Sequence, residues 1–168
     1  YKFNYPIVIY NYFTGTIKNK IINNSETINM SKNSHATVIE YLVDESIGNF
    51  FKNTFKYINL EENASLNYYF INKHESKNFF YEYSKVNLSK NSSFKKFLFS
   101  SGLKFGKFES NIKLNGINSC GDVYSGLFLG KKNHQEIKTK IEHLKPSCQS
   151  HQDIKNVLTS GSKGVFQG

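Results

Sequence analysis

The chain contains no arginine and no tryptophan, and only one methionine, two prolines and two cysteines. With arginine absent, all 22 basic side chains are lysine, and the net charge of +9 rests on ammonium point charges. Arginine's planar fork is what pairs bidentately with phosphate and guanine, so its absence argues against nucleic acid as the partner. Asparagine, at 21 copies, stands beside abundant Lys, Ile, Phe and Tyr, all residues with A/T-rich codons. That bias accounts for the basic composition without an anionic partner, and no nucleic-acid partner is expected. Two cysteines, Cys120 and Cys148, are too few for a disulfide framework and predict a reducing compartment. No apolar run approaches the roughly 18 residues that cross a bilayer, so no membrane partner is expected. The N-terminal YKFNYPIVIYNYF has no signal-peptide layout and no initiating methionine, which reads as an internal segment of a longer protein. No Gly/Ser/Pro linker divides residues 1–168, so the chain is expected to be a single domain.

What the chain does have is alternation. Helical periodicity is scarce, whereas short segments of period two recur between Asn, Ser, Gly and Lys residues. Examples are Ile7–Tyr10, Thr37–Leu42, Leu66–Ile71, Phe94–Phe99 and Val123–Leu129. A polar turn followed by a strand repeats as KNSHATVIEYL, ENASLNYYFI, KNSSFKKFLF and INSCGDVYSGLFL, with turn asparagines at 33, 63, 91 and 118. Spacings of 27 to 30 residues indicate a stacked repeat. An all-β parallel β-helix fits, because asparagine tolerates the left-handed backbone that a corner needs. An antiparallel sandwich remains the alternative at this point. Only SHQDIKNVL, from Ser150 to Leu158, suits a short helix as well as a strand.

From Ile112 onward the order of motifs is more specific. It runs LNGINSCGDVYSGLFLG, then NHQEIKTKIEHLKPSCQSHQDIKNVL, then GSKGVFQG. This order resembles the core of the SufB/SufD family of iron–sulfur cluster assembly proteins. The shared features are the Gly-containing strand pair, H-x-x-P-x-C-x-S at His143–Ser150, Q-x-x-K-x-x-L at Gln152–Leu158, and the final GVF-x-G. The L-N-G…G-L pair, His134 and the H-x-x-P-x-C segment make it look closer to SufD than to SufB. The resemblance implies a right-handed parallel β-helix, partial at its C-terminal end. It also implies a non-catalytic scaffold subunit, with SufB-type and SufC-type (ATPase) proteins as partners. No cofactor would be resident in this segment, and a transient iron–sulfur cluster would belong to the parent complex. The compartment would be bacterial cytoplasm or plastid stroma. A β-solenoid enzyme, a carbohydrate-binding module and a metal-binding protein are the alternatives from other classes.

The residues that attract attention as chemistry are His134, His143, Cys148 and His151. Their N and S donors are of the type zinc takes, yet the spacing H-x8-H-x4-C-x2-H matches no common zinc pattern. Cys148 is also a candidate for sulfur handling, with Lys145, His143 and His151 able to favour its thiolate. The plainer expectation is a proline-set corner followed by a strand, with Cys120 structural in its own corner. Glu61, Glu62, Asp44, Glu45 and Glu136 are expected as solvated charges at corners, and no carboxylate pair suggests acid–base work. GSKG at 161–164 is no phosphate-binding loop. In FKKFLF the aromatics are expected inward and Lys96 outward.

Overall fold

Alternation is the whole architecture. The computed structural model describes residues 5–168; residues 1–4, where the N-terminal reading begins, lie outside the described residues. Twelve strands follow one another: β1 (Ile7–Phe13), β2 (Lys20–Met30), β3 (His35–Asp44), β4 (Phe50–Leu60), β5 (Ser65–Asn72), β6 (Ser76–Leu88), β7 (Ser93–Ser101), β8 (Leu103–Leu114), β9 (Cys120–Leu129), β10 (His134–His143), β11 (Gln149–Leu158) and β12 (Lys163–Gln167). Odd strands pair only with odd strands and even with even, giving two six-stranded sheets, and every strand pairing is parallel. The chain therefore winds as a β-solenoid of two flat walls around a filled lumen. Parallel pairing throughout excludes the sandwich.

The period of two sends alternate side chains inward. In-register stacking then builds columns. Ile28, Ile58, Val86, Ile112 and Ile141 form one, and Met30, Leu60, Leu88 and Leu114 another. Val86, Leu88, Ile112 and Leu114 are wholly buried, and each such side chain contributes about 1.5–3 kcal/mol on burial. Neighbouring coils thus supply one another's core, as expected of a repeat too small to fold alone.

The corners between even and odd strands explain the asparagine spacing. Asn33, Asn63, Asn91 and Asn118 have φ of 59°, 59°, 55° and 59°, the left-handed region that few non-glycine residues accept. Their amides hydrogen-bond coil to coil: Asn63 to Asn33 at 2.8 Å, Asn91 to Asn63 at 3.0 Å and Asn118 to Asn91 at 3.2 Å. In the next coil Ser147 takes the same conformation, at φ 60°, directly after Pro146. A small residue follows each time, as Ser34, Ala64, Ser92, Ser119 and Cys148.

Three expectations need correction. Lys96 points inward and is buried, together with Phe94 and Leu98, while Phe97 and Phe99 lie on the outer face. Phe94 and Phe97 are three apart, so a strand cannot turn both inward. Glu136 is on β10 and not at a corner, and Asp44 is half-buried and bonded to Ser46, Ser76 and Asn78. The ambiguous segment from Ser150 to Leu158 is strand, within β11.

Candidate functional site

The strongest concentration of charge lies inside the solenoid. Glu40, Lys56, Glu82 and Lys96 occupy inward positions of β3, β4, β6 and β7 and are buried. Lys56 Nζ is 2.5 Å from Glu26 Oε2, contacts Glu40, and lies 3.6 Å from Glu82 Oε2. Lys96 Nζ reaches Glu82 at 2.9 Å, Ser110 Oγ at 3.1 Å and Ser84 Oγ at 3.3 Å. Tyr68 donates to Glu40, as does Asn11 at 2.6 Å. With Lys52, whose Nζ sits 5.3 Å from the centre of the Phe13 ring, three lysines face three glutamates. The set is balanced, which is what allows ions to persist in a low-dielectric interior.

The surroundings move the titrations in physically opposed ways. Burial works to raise the Glu82 carboxyl, but Lys96 and Lys56 outweigh it and hold Glu82 below the usual carboxylate range. Burial likewise opposes the charge on Lys56, but Glu82, Glu40 and Glu26 raise its ammonium above the usual value. Lys52 is lowered, because for it burial is the larger effect. Burial, then Glu82 and Glu40, push Tyr68 well up, so it stays a donor. The space beside these groups, bounded by Glu40, Lys52, Phe80 and Phe108, is about 10 Å³. That admits at most one water.

The sequence-derived candidates are placed around the last coils. His134 opens β10 on its outer face, with Nε2 2.9 Å from Glu136 Oε1 and its ring edge-on to Phe105 at 5.3 Å. The His134–Glu136 approach makes no hydrogen bond, since Nε2 has no aligned partner. His143 closes β10 on the inward side and meets Ser150 Oγ at 2.9 Å. His151 is on β11, whose odd-numbered residues face out, and packs 5.6 Å from the Tyr124 ring. Cys148 fills the small-residue position of the corner, its Sγ 3.3 Å from Gly116 O and 3.4 Å from Ser119 Oγ. Thus His143 and His151 face opposite ways and Cys148 contacts the preceding corner. Among the described residues no three His, Cys, Asp or Glu side chains are grouped to hold a metal ion. Cys120 opens β9 with Sγ 3.6 Å from Asp122 Oδ1; burial and then that carboxylate push its thiol up.

The lumen network was missed from sequence, though its signal was present. Glu40 is in phase with Val38 and Leu42, Glu82 with Phe80 and Val86, and Lys96 with Phe94 and Leu98. Charges at inward parity in opposing strands must pair or unfold the coil.

Fold and interior together define a β-solenoid whose lumen is occupied by its own side chains, with its outer faces, corners and ends left exposed. A family model described as SUF system FeS cluster assembly, SufBD core domain, matches residues 13–168, and the chain belongs to that family. This is the family to which the motif order from Ile112 pointed. Its role is in iron–sulfur cluster assembly by the SUF system, as an assembly component that acts in complex with other components of that system. No curated protein and no solved structure matches the chain. Among the described residues no helix is long and apolar enough to cross a membrane.

Proposed function

We propose that the chain is a SufD-like, non-catalytic scaffold subunit that pairs with a SufB-type protein and works with a SufC-type ATPase. Its compartment is bacterial cytoplasm or plastid stroma. The observation that carries this reading is the filled lumen within a SufBD core: inward side chains are buried along the walls and the space beside the buried charges is only about 10 Å³, which favours assembly on the exterior. The L-N-G…G-L strand pair and the H-x-x-P-x-C corner favour the SufD-like form. The iron–sulfur cluster is then cargo of the assembled complex. In this reading Cys148 packs its corner against Gly116 and Ser119, and Cys148→Ser leaves complex formation unchanged.

Reconstitution with ferrous iron and sulfide under reducing, anaerobic conditions tests the subunit reading. The chain alone, after desalting, is expected to keep no visible cluster absorption. The same chain mixed with a SufB-type partner is expected to elute in a coloured complex. A chain that by itself retains a stoichiometric cluster contradicts the proposal.

A further inference from the structure

Outside the interior, the most concentrated feature is a basic groove on the corner that leads from odd strands into even ones. It has a volume of about 570 Å³ and is lined by Glu75, Lys77, Gly102, Lys104, Lys131 and Lys132, with Ser76 and Asn133. Four ammonium groups share it with a single carboxylate. Some outward lysines elsewhere find carboxylates: Lys107 with Glu109 and Glu136, Lys113 and Lys140 with Glu142, Lys90 with Glu62, Lys155 with Asp153. Others, Lys138, Lys145 and Lys163 among them, are in no ion pair among the described residues, so what marks the groove is the gathering of four lysines in one place. Among the described residues none of the four groove lysines is in an ion pair, and neither is Glu75. The charge is therefore not offset by carboxylate pairing, although Lys104 Nζ also lies 5.1 Å from the centre of the Phe79 ring.

The backbone is also committed here. Gly102, at φ 83°, brings its corner against the preceding one so closely that a Cβ would lie 2.9 Å from His74 O and Glu75 Cα. Ser76 N–H donates to Gly102 O at 3.0 Å, tying the two corners together. Lys132 holds φ 68°, where the corner stacked on it uses Gly161 at φ 78°, and its N–H donates to Gly161 O at 3.2 Å. A lysine at a left-handed position that glycine fills in the neighbouring coil is a local strain, and such strain tends to gather at functional places.

We propose that this groove docks an acidic segment of a partner protein. The lysines come from β6, β8 and the corner before β10, which are successive strands of one sheet about 4.8 Å apart. Their charge is thus spread along the solenoid axis, matching carboxylates spaced along an extended chain. A nucleotide fits less well: no arginine is present to grip phosphate bidentately, and the Phe79 ring beside the groove already lies under Lys104 Nζ at 5.1 Å. Opposite charge at a rim speeds association and gives salt-sensitive binding.

The test uses the full chain and a short fluorescein-labelled peptide rich in Glu and Asp, followed by fluorescence anisotropy at low and physiological salt. Binding is expected to weaken as salt rises. Lys131→Glu with Lys132→Glu is expected to weaken it about tenfold or more, and so is Lys77→Glu with Lys104→Glu. Lys138→Glu with Lys145→Glu, which removes the same charge elsewhere, is expected to change it little. Circular dichroism and melting keep folded variants in the comparison, and the Lys77/Lys104 pair stands in if the Lys131/Lys132 pair fails to fold. Equal weakening by all three doubles, no binding of the peptide at low salt, or tighter groove-dependent binding of tripolyphosphate than of peptide would each overturn the proposal. The probe involves no SUF component, so its failure leaves the subunit reading intact.

Discussion

Lys96 and Glu82 carry the sharpest energetic statement at the scale of single residues. Removing one member of a buried ion pair strands the other, at a cost of about 3–5 kcal/mol, whereas replacing both by apolar groups is often nearly neutral. Lys96→Met is therefore expected to lower urea stability by about that amount. Lys96→Met with Glu82→Leu is expected to recover most of the loss, because Lys52 and Lys56 then still balance Glu26 and Glu40. A single substitution that leaves the urea midpoint unmoved would mean the pair is not formed. Asn91 offers a second case. Asn91→Ala is expected to cost about 1–2 kcal/mol, the strain of an L side chain in the left-handed region, while Asn91→Gly costs less because only the amide ladder is lost. Equal effects of the two would place the energy in the ladder instead. The corner asparagines were legible in the sequence because few residues tolerate that conformation and they recur at one spacing. Lys96 was misread because Phe94 and Phe97 were given the same face, although a strand of period two turns them to opposite sides.

Elements add what single residues cannot. The β6 strand carries Glu82 in the lumen and, at its start, Ser76 and Asn78, which bond the Asp44 carboxylate at the end of β3. Burial works to raise Asp44, but the hydrogen bonds from Ser76, Ser46 and Asn78 win and hold it low. Glu82 is also depressed. Both unfold to ordinary values near pH 4, so both stabilise the fold above that pH and lose the contribution as pH falls through their lower folded values. Urea midpoints are expected to decline as pH drops below about 4. A flat profile down to about pH 2 would contradict the assignment. Corners make a similar demand on backbone. A Cβ at Gly116 would come within 1.9 Å of Lys90 N, so Gly116→Ala is expected to lower Tm by more than about 4 °C in a thermal melt. Most strands were legible because their inward residues are apolar. The β11 strand was legible mainly from the proline-set corner before it, because its inward set includes Ser150, Gln152 and Asn156, whose polarity weakens the alternation and left a short helix open as well.

At the scale of the whole molecule, the two walls close on a lumen filled by hydrocarbon and a balanced set of ions. The repeat of 27 to 30 residues and the order of motifs after Ile112 made the solenoid and its family readable from sequence alone. The cross-coil charges were not, since Lys56 meets Glu40 and Lys96 meets Glu82 only after the chain has crossed from one sheet to the other. The His and Cys cluster of residues 134–151 was the opposite case, close in sequence and dispersed by alternating faces and a corner. On the proposed scaffold reading, a solenoid closed in this way would hold its partners on its outside. The most direct test is to co-express the tagged chain with SufB-type and SufC-type proteins and to wash the captured material at high salt. The account predicts recovery of a three-component complex. Recovery of the chain alone at every salt concentration would contradict it.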